Sequence, residues 1–229
     1  MNIQKIGAFA LSLLLLTGCQ TKQGTGTIAG GAAGAVVGGI IGNIIGKDSK
    51  ATAIGAAIGT AVGAGAGNII GKRMDKVAAE AAAQVQNATV EEVTDANGLK
   101  AVKVTFDTGI LFASNKATLN DKSKTELAKF SKVLVAHPDV YIDVYGHTDS
   151  TGNDGINIPL SNNRAQAVVT FLKSCGVNAG QFKYVVGKGS EEPVADNATS
   201  AGRQANRRVE VYLYAGQEMI DSAYAESVQ

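Results

Sequence analysis

Residues 146–152, with the sequence GHTDSTG, bring together a histidine, an aspartate and three hydroxyl side chains. Side chains of these types act as nucleophiles, general bases, metal ligands or binding groups. The alternating apolar residues Val140, Ile142 and Val144 predict a strand that ends just before them. The first question is therefore whether this stretch catalyses a reaction, holds a metal ion or binds a ligand.

The sequence offers little from which to build a catalytic or a metal site. A nucleophile elbow needs Gly-x-Ser-x-Gly, which does not occur in the chain. A zinc site needs three or four spaced ligands, whereas the chain has only His137 and His147 and no closely spaced cysteines. Asp149 and Asp154 could form a glycosidase pair, but their Gly, Ser and Asn neighbours would leave both carboxylates solvated. We therefore expect no catalytic residue, no metal ion, no cofactor and no enzymatic activity.

A binding role fits the charged residues better. Asp149 follows the predicted strand, and Arg164 lies in the first turns of a helix expected at residues 161–175. Both side chains can reach one end of a sheet, where α/β folds place ligands and where the helix start adds partial positive charge. Aspartate suits an ammonium group and arginine a carboxylate, so together they suit a zwitterionic ligand. The alternative is that the two residues only bond each other as a structural ion pair.

The elements around these residues predict an α/β fold, in the form of an α+β sandwich with a mixed sheet and two main helices. Strands are expected at residues 90–93, 99–106, 110–112, 140–144, 183–186 and 209–214, with an Asn-Gly hairpin turn at residues 97–98. The helix of residues 161–175 is preceded by one at residues 120–136, for which Ser123 and Glu126 suggest a capping box.

Glycines recur at every fourth position in two N-terminal segments. The first contains Gly30, Gly34, Gly38, Gly42 and Gly46, and the second contains Gly55, Gly59, Gly63, Gly67 and Gly71. Positions four apart share one helix face, so each segment predicts a helix with a groove for another backbone. Five interior glycines cost such a helix about 5 kcal/mol relative to alanine, so a membrane or an oligomer must compensate. We expect a glycine-zipper hairpin at residues 27–71, membrane-inserted or tightly oligomerised, followed by a helical spacer at residues 72–89.

The first residues predict export and lipidation. Lys5 precedes an apolar run that ends in Leu16-Thr17-Gly18-Cys19, a pattern typical of a secretory signal peptide at residues 1–18. The last four residues resemble the bacterial lipobox, which implies lipidation of Cys19 and a lipidated linker at residues 19–26. Gln20 in the next position implies sorting to the outer membrane. The net charge of +1 gives no reason to expect a nucleic-acid partner.

The C-terminal half resembles the OmpA-like peptidoglycan-binding domain. The resemblance rests on YGHTDSTGNDGINIPLSNNRAQAVVTFL and GKGSEEPVADNATSAGRQANRRVEV and covers residues 100–215. It implies that Asp149 holds the ammonium and Arg164 the carboxylate of diaminopimelate in the peptidoglycan stem peptide. It also implies that Thr148, Asn157 and Leu160 shape the loop and helix start around that ligand. His147, Arg207 and Arg208 are interpreted as structural, the two arginines pairing with nearby carboxylates.

Together these features predict an envelope lipoprotein. The OmpA-like domain is expected at residues 90–215, in the periplasm, with a tail of unassigned role at residues 216–229. The predicted function is to bind peptidoglycan noncovalently and to tether the outer membrane to the wall, with the lipid, and in one version the hairpin, holding the membrane. The alternative is an oligomerising assembly or pore-forming lipoprotein, built through the glycine ladders, that uses wall binding as an anchor.

Overall fold

The computed structural model describes residues 37–38, 63–112 and 115–229. The chain divides into two units, Met1–Ala32 and Ala33–Gln229, and every described residue belongs to the second. The signal peptide, the Cys19 linker and most of the glycine-zipper hairpin lie outside the described residues, so the expectations for them stay predictions.

A mixed sheet forms the centre of the described structure. Its strands are β1 (Val37–Gly38), β2 (Ala88–Thr94), β3 (Lys100–Asp107), β4 (Val140–Gly146), β5 (Phe182–Gly187) and β6 (Arg208–Ala215). They lie in the order β1-β2-β3-β6-β4-β5. The neighbours β2 and β3, β3 and β6, and β6 and β4 are antiparallel, whereas β1 and β2, and β4 and β5, are parallel. This mixed sheet, with helices packed on it, confirms the predicted α/β fold class.

Helices cover the sheet and supply much of the core. They are α1 (Ala64–Gln84), α2 (Thr108–Leu111), α3 (Asp121–Ala136), α4 (Asp154–Ser174), α5 (Ser200–Asn206) and α6 (Gln217–Ser227), with a 3-10 turn at Ala179–Gln181. The ring of Phe106 in β3 meets that of Phe130 in α3 edge to face, with centroids 5.7 Å apart. Leu127, Val168 and Leu172 are fully buried beside them. The apolar spacing that predicted α3 and α4 therefore marks the faces that these helices bury.

The turn between β2 and β3 is the predicted hairpin. Gly98 adopts a φ of 80°, the left-handed conformation that such turns require and that glycine adopts without strain. The buried Asp95 carboxylate accepts hydrogen bonds from the backbone N–H of Asn97 at 2.9 Å and of Leu99 at 2.8 Å. This end of the β2–β3 pair is thus fixed by local hydrogen bonds.

Two local predictions around α2 and α3 are wrong. Residues 108–111 form helix α2 rather than a strand, because the Asp107 side chain caps that helix by accepting from Gly109 N at 2.6 Å. Ser123 and Glu126 form no capping box, since Asn120 caps α3. The Ser123 hydroxyl donates instead to the Leu111 carbonyl, and Glu126 accepts from the backbone of Gln86.

Helix α4 begins at Asp154, seven residues before the predicted start. Pro159 and the Asn and Gly residues of this stretch are typical of loops, and they concealed the helical start. This earlier start matters for the site, because the first two turns of α4 lie beside the GHTDSTG loop and line the same cleft.

Helix α1 packs into the folded unit, which corrects the domain boundary at residue 90. Residues 72–84 are helical as predicted, but they are no spacer, because Ile70, Met74 and Val77 are buried on the core face of α1. The buried residues recur at amphipathic spacing, but alanines such as Ala79 and Ala83 also occupy exposed positions and conceal this face in the sequence. The folded unit therefore starts at α1.

The segment at residues 216–229 contains helix α6, which lies against α1. Arg73 of α1 donates to Ser222 Oγ at 2.5 Å and forms an ion pair with Glu226 at 2.9 Å. Met219 and Ile220 are buried. These residues are therefore part of the fold rather than a tail.

Two described segments, residues 37–38 and residues 63–71, lie within the range predicted for the glycine-zipper hairpin. Residues 64–71 are helical in α1, as expected, whereas Val37–Gly38 is extended and pairs with Val90 and Glu91 of β2. The helical prediction is wrong for these two residues, because the edge of β2 presents backbone groups that an extended segment can satisfy. Within the described ranges, each helix is too short or too polar to cross a membrane.

Candidate binding cleft

A cleft of about 570 Å³ opens where β4 ends, between α2, the start of α4 and the residue that precedes β6. All five residues predicted for the binding site line it: Thr148, Asp149, Asn157, Leu160 and Arg164. Thr108, Phe112, Ile156 and Arg207 also contribute to its walls. The structure thus brings the predicted residues together, while their ligand stays a prediction.

The loop that carries Asp149 is held by close packing and by hydrogen bonds. β4 ends in Gly146, where a Cβ atom would lie 2.1 Å from the carbonyl oxygen of Ser161 in α4. Thr148 donates its backbone N–H to the Gly189 carbonyl at 2.8 Å. The Asn157 side-chain amide donates to the Thr151 carbonyl at 3.1 Å. This bond ties Asn157 of α4 to the loop.

Asp149 is nearly buried and already has partners. Its Oδ2 accepts from Arg207 Nη1 at 2.5 Å, and its Oδ1 accepts from the backbone N–H of Thr151 at 2.8 Å. Burial alone would raise the pKa of Asp149, but the bonds from Arg207 and Thr151 outweigh it and lower the pKa below its usual value. The group in the cleft is therefore a carboxylate at neutral pH.

Arg164 is buried although it carries a charge. Its Nε donates to the Lys116 carbonyl at 3.1 Å, and its guanidinium carbon lies 5.4 Å from the centre of the Phe112 ring. Burial and the charge of Arg207 lower its pKa, whereas Asp149 raises it. The two terminal nitrogens of Arg164 have no hydrogen-bond partner within the described residues. They are thus available to a ligand.

Asp149 and Arg164 are not a structural ion pair. The ion pair of Asp149 in the described part of the chain is with Arg207, and Arg164 is held by the Lys116 carbonyl instead. The interpretation that the two residues only bond each other is therefore wrong. They remain separate groups that face the same cleft.

Arg207 is the charged residue of the cleft to which sequence reasoning gave no ligand role. Its pairing with a carboxylate follows the prediction, as does that of Arg208, whose Nε lies 2.7 Å from Glu210 Oε1. Successive residues at the start of β6 point in opposite directions, which sends Arg207 to the cleft and Arg208 to the other side. The Asn-Arg-Arg pattern, taken with this alternation, is the signal that could have assigned it.

His147 supports the loop, as predicted, and does not face the cleft. It is 1% exposed, its backbone N–H donates to the Arg208 carbonyl at 2.9 Å, and its Nε2 lies 3.5 Å from Glu210 Oε2. In the part of the chain that the structure describes, no group of three or more His, Cys, Asp or Glu side chains is placed to hold a metal ion.

The cleft therefore offers one carboxylate, two guanidinium groups and an apolar wall. Ile156, which is 58% exposed, and Leu160 form part of that wall together with Phe112. Thr148 adds a buried hydroxyl that has no partner among the described residues. Such an arrangement can bind a ligand with a carboxylate, an adjacent ammonium and an aliphatic portion.

Comparison with known proteins shows which families this chain resembles. Residues 111–207 match the OmpA family, and residues 1–75 match the YMGG-like Gly-zipper family. Over 104 residues, or 45% of the chain, the sequence is 44% identical to the peptidoglycan-binding protein ArfA of Mycobacterium tuberculosis. Over the same length it is 39% identical to the outer-membrane lipoprotein YfiB of Pseudomonas aeruginosa. These matches span 32% of ArfA and 61% of YfiB, so the chain corresponds to part of each relative.

A solved structure supports the same assignment. The cell wall anchor of the T6SS from Pseudomonas aeruginosa superposes with a TM-score of 0.51 and 31% identity, over 62% of this chain and 97% of that one. Sequence and fold thus agree over the region that contains the cleft. Through residues 111–207 the chain belongs to the OmpA family, and it carries a YMGG-like glycine-zipper segment ahead of that domain.

Proposed function

We propose that this protein is a lipid-anchored outer-membrane protein that binds peptidoglycan noncovalently through its OmpA domain and tethers the membrane to the wall. The observation that carries the proposal is the meeting of Asp149, Arg164 and Arg207 in one cleft. The names of ArfA and YfiB, a peptidoglycan-binding protein and an outer-membrane lipoprotein, support it. The lipobox at Cys19 supports the anchor.

The ligand group that best suits the cleft is the free end of diaminopimelate, where one carbon carries both an ammonium and a carboxylate. The two terminal nitrogens of Arg164, which bond no described residue, can take a carboxylate in fork geometry. Asp149 can accept the ammonium, because a carboxylate has about four acceptor positions and Arg207 and Thr151 occupy two. Phe112 and Leu160 would contact the aliphatic chain.

Arg164 also gives a reason for selectivity. Stem peptides with lysine in place of diaminopimelate have an ammonium but no carboxylate at this end. They would leave the Arg164 guanidinium desolvated without an anion, which costs about 2–5 kcal/mol for a buried charge. We therefore propose that the domain prefers diaminopimelate-type walls.

The test is a pull-down of the full-length protein, in detergent, with purified sacculi. Wild-type protein should bind diaminopimelate-type sacculi and bind lysine-type sacculi at least about 30-fold more weakly. Asp149→Asn and Arg164→Ala should each abolish binding, because each removes one side of the zwitterion pair, while thermal unfolding stays cooperative. Asp121→Asn, whose side chain is fully exposed on α3, is the matched control. Retained binding by both cleft variants would refute the assignment.

The membrane part of the proposal rests on sequence. Cys19 and most of the glycine ladders lie outside the described residues. The alternative of an oligomerising assembly depends on those ladders, so it also rests on sequence alone. We propose the outer membrane as the location, with the domain in the periplasm, because the wall polymer lies there.

A further inference from the structure

A second cleft lies beside the first, on the other side of the backbone that carries Arg207. It has a volume of about 560 Å³ and is walled by β2, β3, β6 and α5. Arg208 and Asp107 line it, whereas their chain neighbours Arg207 and Thr108 line the first cleft. Adjacent Cα atoms are about 3.8 Å apart, so the two clefts adjoin at these two points.

The charged groups of the second cleft are already compensated. Lys103 Nζ lies 2.5 Å from Glu91 Oε2, and Arg208 Nε lies 2.7 Å from Glu210 Oε1. The Asp107 carboxylate accepts from Gly109 N at 2.6 Å and from the Gln204 side chain. A charged ligand would gain little here, because it would compete with existing partners.

The uncharged polar groups of the cleft, by contrast, have hydrogen-bonding positions that a ligand could use. Thr105 Oγ1 is buried and has no hydrogen-bond partner among the described residues. The exposed side-chain amides of Gln86, Asn87 and Gln204 line the walls, and Val194, which is 59% exposed, adds an apolar surface. A buried hydroxyl without a partner costs about 1–3 kcal/mol, which a ligand hydroxyl or amide would relieve.

Amides, a hydroxyl and a small apolar surface, beside charged side chains that already have partners, suit a neutral amino sugar. Such a sugar presents hydroxyl and acetamido groups on its edges and aliphatic C–H groups on its ring faces. A zwitterionic peptide end suits the first cleft instead, where Arg164 has no ion-pair partner among the described residues.

We propose that this second cleft, the glycan cleft, binds the amino sugar that carries the stem peptide held in the first cleft. The inference rests on the proposed function. Three α-linked residues would span about 10 Å, and the γ-linkage of D-Glu and the side chain of diaminopimelate lengthen the stem further, so it can reach across the Asp107–Thr108 and Arg207–Arg208 segments. One wall fragment can then occupy both clefts, with its peptide in the first and its sugar in the second.

The experiment compares two probes by calorimetric titration of the full-length protein in detergent. One probe is the tripeptide L-Ala-γ-D-Glu-meso-diaminopimelate, and the other is the same tripeptide on its N-acetylglucosamine–N-acetylmuramic acid disaccharide. We expect the disaccharide probe to bind at least about tenfold more tightly, the worth of one or two hydrogen bonds with buried apolar contact.

Two variants test which residues give this advantage. Thr105→Val keeps the shape of the side chain and removes a hydroxyl that bonds nothing within the described residues, so the fold should be unaffected. Asn87→Ala removes an exposed side-chain amide that lines the cleft. Each should lower the advantage of the disaccharide about threefold to tenfold and leave tripeptide affinity unchanged. Thr170→Val on α4, outside both clefts, is the matched control.

The outcomes separate the two proposals. If wild-type protein binds both probes equally, or if both variants keep the full advantage, the glycan cleft is refuted and the proposed function stands. If wild-type protein binds neither probe, the proposed function fails, and the glycan cleft fails with it.

Discussion

Asp143 in β4 is a fully buried carboxyl group that no cation neutralises by direct contact within the described residues. It accepts hydrogen bonds from the hydroxyls of Tyr214 at 3.0 Å and Tyr145 at 3.3 Å, and from the backbone N–H of Tyr184 at 3.2 Å. Burial raises its pKa to about 6, in spite of these bonds. The folded protein therefore keeps a proton on this residue up to about pH 6.

This raised pKa predicts a pH-dependent stability. Between about pH 4 and pH 6 the folded state holds a proton on Asp143 that the unfolded state releases, so the contribution of Asp143 to the free energy of unfolding should rise as pH falls through this window. That contribution should be roughly 2 kcal/mol larger at pH 4 than at pH 7.5. Urea unfolding across this range measures it. Asp143→Asn should be more stable at pH 7.5 and lack this slope, and an unchanged slope in the variant would contradict the assignment.

Arg207 predicts a pH effect on binding. Its bond is a main reason that the pKa of Asp149 lies below the usual range. In Arg207→Gln we expect that pKa to rise, so sacculus binding should be lost at a higher pH on acidification than in wild-type protein. Binding measured from pH 7 to pH 3 would show the shift. If the two profiles coincide, Arg207 does not position Asp149.

Among the elements, helix α1 can be tested for whether it packs in the core or acts as a spacer. Met74 is fully buried against the sheet and α6, whereas the Lys76 side chain is 70% exposed on the same helix. Met74→Ala should lower the free energy of unfolding by about 2–5 kcal/mol, because it leaves a cavity in the core. Lys76→Ala should change it by less than about 0.5 kcal/mol. Chemical denaturation of both variants tests this, and equal stabilities would mean that α1 does not belong to the core.

The elements that the sequence could predict are those with strong periodic patterns. The β2–β3 hairpin, β4, α3, β5 and β6 follow from alternation, helical spacing and an Asn-Gly turn. The sequence prediction places helix α1 outside the domain because half of its buried residues are alanines, which also occupy its exposed positions, and it misses the start of α4 because Pro159 marks a loop in most contexts. Helix α2 depends on the Asp107 cap, a tertiary detail that its short apolar run does not reveal.

The residues of the first cleft were predictable through a family motif and not through periodicity. Thr148, Asp149, Asn157, Leu160 and Arg164 do share a cleft. The pairing of Asp149 with Arg207 rather than Arg164 depends on how β6 meets β4, since the two residues are far apart in the chain. No local pattern contains that information.

For the whole molecule, the start of α1 limits the glycine-zipper hairpin. Between the polar connector at residues 47–50 and α1, about 12 residues remain outside the described helix, or ~18 Å of helix, against a bilayer core of about 30 Å. A second ladder that spanned the membrane through residue 71 would have to pull Ile70 out of the core. The membrane-inserted form and the folded domain therefore compete for residues 64–71.

Chemical labelling separates these arrangements. Asn68, exposed on α1, should react as Asn68→Cys with a membrane-impermeant maleimide in isolated membranes, in a Cys175→Ser background. The rate should match that of Lys122→Cys on the exposed face of α3. Protection of residue 68 that detergent relieves would show instead that the ladder is embedded in the lipid.

The position of α1 also has a mechanical consequence. Gly67 of α1 lies beside Leu99 at the β2–β3 turn, whereas the cleft lies next to the opposite end of β3, at Thr108. In the proposed tether, a pull that reaches the domain through α1 would enter at one end of the sheet and leave at the other, along the strands. The β2–β3 and β3–β6 hydrogen bonds would then be loaded in shear, many at once rather than one after another. Such a domain would resist tension along the direction in which the proposed tether is stretched.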